Sequence, residues 1–122
     1  MQTLLLLGSL NMALVVILGA FGAHALKRKL TPELLKIYET GVLYHLVHGL
    51  GLLLIGVLAG GAVSSGLAVT AGWLLQIGIV LFCGSLYVLA LTGVKRLGAI
   101  TPLGGLGFIT GWVVLFAAAL QG

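Results

Sequence analysis

Long runs of apolar residues dominate the chain and alternate with two short charged segments. No charged residue occurs in 1–26, 40–94 or 97–122, whereas 27–39 contains six and 95–96 is a Lys-Arg pair. A bilayer core of about 30 Å is crossed by roughly 20 apolar helical residues. Each outer run therefore predicts one transmembrane helix, and the longer central run has room for two.

A segment of small residues divides the central run. Residues 60–66 read Gly-Gly-Ala-Val-Ser-Ser-Gly, which favours a loop. Segments that span lipid must be helices or a closed barrel, and the continuous apolar residues 50–55 lack the alternation of barrel strands. We predict an all-α, integral membrane four-helix bundle that forms one domain, 1–122. The expected spans are 3–26, 40–60, 67–93 and 102–121, and residues 32–39 extend the second helix as a cytoplasmic amphipathic segment.

Two sites resemble the beginnings of helices. Thr31-Pro32 and Thr101-Pro102 each place a hydroxyl residue before a proline, and proline is favoured in the first helical turn after such a cap. These pairs predict where the second and fourth helices begin.

The basic residues predict an orientation. All six Lys and Arg residues fall in the first and third connections, and cytoplasmic loops are enriched in Lys and Arg. We expect both of these connections in the cytoplasm and both termini outside, the N-out/C-out arrangement.

Composition supports the membrane assignment. Hydrophobic residues make up 61% of the chain and charged residues only 7%, against about 25% charged residues in soluble domains. Soluble enzymes and disordered tails are excluded. The net charge of +4 is explained by the basic residues of the two connections, which set the orientation in the membrane. We therefore expect the lipid bilayer, and no nucleic acid, as a partner.

The chain contains 20 glycines, and small residues let transmembrane helices approach closely. Gly8, Asn11 and Val15 share one face of the first helix, and His45 shares a face with Gly49 on the second. The glycines expected at helix-packing contacts are Gly19, Gly22, Gly41, Gly107 and Gly111.

Polar residues inside the spans are the candidates for function, because each costs free energy in lipid unless it has a partner. Counting along the helices places His24, His48, Ser85 and Tyr87 in the cytoplasmic leaflet, and we predict that they converge there. Asn11 and Gln76 fall towards the outer leaflet. Weaker candidates are His45, Tyr44 and Glu39.

Three interpretations of these residues remain open. The groups could hydrogen-bond one another across helices in a structural role. They could conduct a proton or a small solute through imidazole titration. A metal or haem site through His24, His45 and His48 is the third, but no Cys or carboxylate at motif spacing completes a set of four ligands.

Several segments resemble a known family. They are Gly19-Ala20-Phe21-Gly22-Ala23-His24, Tyr44 with His48, Gly84-Ser85-Leu86-Tyr87, and Thr101-Pro102-Leu103-Gly104-Gly105 to Gly111-Trp112. In this order they are similar to the small bacterial inner-membrane proteins of the YgdD/YwdK type, a domain-of-unknown-function family.

The resemblance implies four spans without an established activity, and it adds weight to His24, His48, Ser85, Tyr87, Thr101 and Pro102. His45 departs from an expected glutamine, which argues against a three-histidine metal site, and Cys83 departs from an expected serine.

The sequence therefore predicts a multi-pass protein of the bacterial inner membrane that is not an enzyme and has no cofactor. We expect a structural or accessory protein that assembles with itself or with a larger membrane complex through its glycine faces. The alternative is a small oligomeric transporter or channel that uses the predicted polar cluster.

Overall fold

Four long helices form the molecule in the computed structural model, which describes residues 2–121. They are α1 (Gln2–Leu26), α2 (Pro32–Leu58), α3 (Ser65–Thr92) and α4 (Thr101–Gln121). All four are long and apolar enough to cross a membrane, which confirms the predicted all-α membrane fold. Met1 and Gly122 of the predicted domain 1–122 lie outside the described residues.

Local chemistry explains where α2 begins and α3 ends. The Thr31 hydroxyl accepts a hydrogen bond from the Leu34 amide over 3.2 Å, and Pro32 occupies the first turn of α2, as predicted. Gly93 ends α3 with φ of 73°, a left-handed conformation that glycine adopts without strain.

The beginning of α4 differs from the prediction. A short 3₁₀ helix, Lys95–Ala99, precedes it, and Thr101 is already helical. The Thr101 hydroxyl contacts Ser85 over 2.6 Å instead of capping its own helix. The Thr101 hydroxyl is therefore occupied by a side chain on a neighbouring helix, and no local sequence pattern indicates this contact.

Helices α2 and α3 form the centre of the bundle. Helix α1 packs chiefly against α2, and α4 chiefly against α3. Core side chains such as Leu4, Leu52 and Leu75 are fully buried. Large apolar side chains on α1 and α4, Leu10 and Ile109 among them, are exposed on the outside, where lipid replaces water as the solvent.

Glycines allow the helices to approach closely. A methyl group at Gly104 would meet the Phe82 backbone. All five glycines named from the sequence face another helix of the same chain: Gly19 faces Val42, Gly22 faces Tyr38, Gly41 faces Tyr87, Gly107 faces Gly78, and Gly111 faces Leu75. These faces are therefore used inside the bundle.

Two helices contain a wider, π-helical stretch that the sequence pattern does not indicate. It comprises Ile17–Gly22 in α1 and Ile79–Cys83 in α3. The Tyr38 hydroxyl of α2 donates to the Leu18 carbonyl within the first stretch. Such π-bulges are rare and frequently occur at functional sites.

Candidate functional site: a polar row beside a membrane-facing cavity

Four hydrogen-bonded side chains form a row across α1, α2 and α3. Asn11 Nδ2 donates to Gln76 Oε1 over 2.8 Å. His45 Nε2 lies 2.9 Å from Asn11 Oδ1, and His45 Nδ1 lies 2.9 Å from the Tyr87 hydroxyl. We call these four residues the polar row. It joins groups that are 11 positions apart on α3, about 16 Å of helix.

The partners in the polar row fix the direction of its hydrogen bonds. Asn11 Nδ2 already donates to the Leu7 carbonyl and to Gln76, so Asn11 Oδ1 can only accept. A neutral His45 must therefore carry its proton on Nε2, and the Tyr87 hydroxyl donates to Nδ1. Every bond in the row then points from Tyr87 towards Gln76.

The helix faces identified in the sequence explain why the row forms. His45 is only 4% exposed and lies on the face of α2 that packs against α1. A Cβ added to Gly49, one turn along that face, would be 3.1 Å from Met12 Sδ and 3.4 Å from Asn11 Cβ. The missing side chain lets the helices approach, so the short Asn11 amide can reach the imidazole.

His48 belongs to a separate contact between α2 and α4. Its Nδ1 donates to the Tyr44 carbonyl over 2.8 Å, and Trp112 Nε1 donates to its Nε2 over 3.1 Å. The imidazole also stacks on Phe108, with ring centres 3.6 Å apart and planes at 10°. Both ring nitrogens of His48 are thus occupied by partners within the chain.

Ser85 forms a third contact, between α3 and α4. Its hydroxyl donates to the Phe82 carbonyl over 2.9 Å. Because that bond uses its only proton, Thr101 must donate the 2.6 Å bond that joins the two hydroxyls.

The structure does not join His24, His48, Ser85 and Tyr87 in one hydrogen-bonded group. His48, Ser85 and Tyr87 have different partners, and His24 is exposed, with no side-chain hydrogen bond to any residue from 2 to 121. Residue counting gives depth along the membrane normal but not which helix faces meet, so it groups residues of similar depth that have different partners.

The weaker candidates also lie in different surroundings. His45 is at the centre of the polar row. Tyr44 supplies its carbonyl to His48 and packs its ring 4.6 Å from Phe82. Glu39 is exposed. A functional role for any of these residues stays a prediction.

Sequence reasoning missed Asn11 and Gln76 as site residues, because counting along the helices places them at a different depth from His45 and Tyr87. A usable signal was present. Asn11 and His45 each lie on a small-residue face of adjacent helices, and pairing those two faces would have brought them together.

A cavity of about 290 Å³ lies beside the polar row. Its lining residues come from α1, α2 and α3, and most are apolar: Asn11, Leu14, Leu18, His45, Gln76, Ile79, Val80, Cys83, Gly84 and Tyr87. Leu14 is 41% exposed and Val80 60% exposed, so the cavity opens sideways between α1 and α3. Within residues 2–121, no group of three His, Cys, Asp or Glu side chains could hold a metal ion.

Comparison with known proteins identifies relatives of the same length. Residues 18–105 match the family described as "Protein of unknown function (DUF423)". The UPF0382 membrane protein YwdK of Bacillus subtilis is 48% identical over 99% of this chain and 98% of that protein. A UPF0382 membrane protein of Staphylococcus epidermidis is 51% identical over the same shares. No solved structure matches.

Proposed function

Since the chain belongs to the DUF423 family, whose similar members are named as membrane proteins, we propose that it is a structural or accessory protein of the membrane. On this proposal it is not an enzyme. Its helices form a stable body that associates with a second copy or with a larger membrane complex.

The polar row is the observation that carries this proposal. Polar groups deep in a bundle are retained in lipid when they hold particular helix faces together. Asn11 and His45 fix the packing of α1 on α2, and Tyr87 ties both to α3. The partners of His48 and Ser85 similarly join α4 to α2 and α3. Together these contacts specify one arrangement of all four helices.

The proposed location is the bacterial cytoplasmic membrane, with both termini outside. All-helical spans suit that membrane, whereas outer-membrane proteins cross as barrels. The basic residues of the first and third connections support the orientation.

An association surface must lie outside the glycine faces, because these are used within the chain. The flanking helices α1 and α4 offer two such surfaces, where Leu10 is 58% and Ile109 62% exposed. Large apolar side chains there suit either lipid or a helix of a partner.

Photocrosslinking in intact membranes tests the proposal. A benzophenone amino acid replaces Leu10 in one variant and Ile109 in another, with the protein at its natural level. We expect a discrete protein adduct from at least one of the two positions. The two positions are similarly exposed, on opposite flanks of the bundle, so an adduct from one alone would identify the flank that contacts the partner. Lipid adducts alone at both positions would contradict the accessory role.

A further inference from the structure

The cavity beside the polar row has the features of a ligand site, and no described side chain of the bundle fills it. Near the first residues of α1, Leu4 packs against Gly72 of α3. Further along, the two helices leave space between them, with His45 on the α2 side. Because Leu14 and Val80 on its rim are exposed, a molecule could enter directly from the acyl-chain region of the bilayer.

One polar group at the cavity has unused hydrogen-bonding capacity. Gln76 lines the cavity, and its Oε1 accepts from Asn11. Its Nε2 carries two N–H donors, yet the only hydrogen bond of the Gln76 side chain within residues 2–121 is the one that Oε1 accepts. Lipid tails offer no acceptor either, so a ligand oxygen placed there would remove a desolvation cost.

The lining also restricts the charge of a ligand. None of its residues is Asp, Glu, Lys or Arg, and an ion at this depth would have no counter-charge. The occupant should therefore be neutral.

Size and depth restrict it further. The volume of about 290 Å³ is near the lower end of the roughly 300–1,000 Å³ of small-molecule sites. Gln76 lies 11 residues from the beginning of α3 at Ser65, about 16 Å into the membrane. A phospholipid keeps its polar groups at the surface, whereas a small neutral amphiphile can place one oxygen at that depth.

The backbone beside the cavity supports the same interpretation. Leu18, Ile79 and Cys83 line the cavity and belong to the two π-helical stretches. Both departures from regular helix therefore border this space, and such departures frequently mark functional sites.

We propose that this cavity binds a neutral single-chain amphiphile from the bilayer, with a hydroxyl or carbonyl oxygen accepting from Gln76 and the chain lying against Leu14, Leu18 and Val80. The Tyr87 oxygen, which donates its proton to His45, keeps lone pairs that a ligand hydroxyl can use. The site does not depend on whether the bundle has a protein partner.

Gly84 provides the means to test the site. It lines the cavity, and a Cβ built there meets nothing within 4 Å. Gly84→Leu should therefore fill the space without disturbing the helices. Gly105 on α4 is the matched control, because its nearest contact is Phe82 Cδ2 at 3.9 Å and it does not line the cavity.

The experiment uses the full chain in lipid nanodiscs with a diazirine derivative of 1-dodecanol as the probe. After illumination, mass spectrometry locates the labelled residues, and dodecanol, dodecane and dodecanoate compete for labelling. Thermal unfolding in the same nanodiscs checks that each variant is folded. If Gly84→Leu does not fold, Gly84→Ala replaces it.

We expect labelling at cavity residues that is lost in Gly84→Leu, or reduced in Gly84→Ala, and retained in Gly105→Leu. Dodecanol should compete about two- to tenfold better than dodecane, the range for one hydrogen bond, and better than charged dodecanoate. Undiminished labelling in the Gly84 variant, or equal loss in the Gly105 variant, would overturn the site. Equal competition by dodecane would reject recognition of the oxygen and leave a groove for any acyl chain.

Discussion

His45 is the central residue of the polar row. Its ring nitrogens join Asn11 of α1 to Tyr87 of α3. The sequence alone placed it below His24 and His48, since the family resemblance favours glutamine there. Yet a glutamine can make the same two bonds, as its amide nitrogen donates and its oxygen accepts. The departure from the family is thus chemically conservative.

Replacing His45 by leucine and by glutamine tests whether its two hydrogen bonds stabilise the fold. We expect His45→Leu to lower the free energy of unfolding by about 1–3 kcal/mol, because Asn11 and Tyr87 lose their partner in the interior. His45→Gln should stay within about 0.5 kcal/mol of wild type, the range of substitutions that remove no such feature. Unfolding in detergent, followed by intrinsic fluorescence, measures both.

His24→Leu is the control for that series. His24 is exposed, so its replacement should leave the unfolding transition unchanged. If His24→Leu lowered the free energy of unfolding as much as His45→Leu, the polar row would have no particular role in stability.

At the scale of elements, the π-helical stretch of α1 is held by a neighbouring helix. The Tyr38 hydroxyl donates to the Leu18 carbonyl, and Tyr38 is 1% exposed. Removing this donor in Tyr38→Phe should lower the free energy of unfolding by about 1 kcal/mol. Amide hydrogen exchange should also become faster between residues 17 and 22.

Tyr44→Phe is the matched change six residues further along α2. The Tyr44 hydroxyl makes no hydrogen bond within residues 2–121, so its loss should alter neither stability nor exchange. Faster exchange in both variants would disprove a specific role for the Tyr38 contact.

The packing of α4 on α3 depends on one of two adjacent glycines. A methyl group at Gly104 would meet the Phe82 backbone, whereas the nearest atom to a methyl at Gly105 is 3.9 Å away. Gly104→Ala should therefore separate the helices and cost about 1–3 kcal/mol, as overpacking does. Gly105→Ala should be neutral or stabilising, because alanine favours helix.

The two alanine variants are compared by thermal unfolding and by the yield of folded protein from membranes. Equal behaviour of the pair would reject the close approach of α3 and α4 at Phe82.

The sequence predicted the helices well and the site only in part, for identifiable physical reasons. Segregated charges and a bilayer of fixed thickness determine the number and length of the spans, so the helix limits agree within two residues. Side-chain partners depend on which faces meet. Asn11 reaches His45 because Gly49 lets α1 approach α2 closely. Thr101 does not cap its own helix, because its hydroxyl is hydrogen-bonded to Ser85.

For the whole molecule, orientation in the membrane is the prediction to test first. In a Cys83→Ser background, a single cysteine at Ser64 should react with an impermeant maleimide added to intact cells. One at Lys29 should react only after the membrane is opened, because Lys and Arg residues are enriched in cytoplasmic connections and we therefore expect this one inside. We expect this background to fold, because the family resemblance favours serine at position 83 and serine is of similar size to cysteine.

Each cysteine variant is the control for the other, because both should be expressed and both should react once the membrane is opened. Labelling of Lys29→Cys in intact cells, with Ser64→Cys protected, would reverse the assigned topology.

Because the hydrogen bonds of the polar row all point the same way, the row is a cooperative chain in which a change at one end affects the other. Three aligned dipoles polarise one another, which can strengthen each bond by about 10–30%. Removing the first donor, in Tyr87→Phe, should therefore be felt at the far end, where Asn11 donates to Gln76. In an NMR spectrum, the Asn11 amide proton donated to Gln76 should move upfield even though the Tyr87 hydroxyl is hydrogen-bonded to His45 and not to Asn11. How strongly Gln76 donates to a ligand in the cavity would then depend on Tyr87, 11 positions along the same helix, through Asn11 of α1 and His45 of α2.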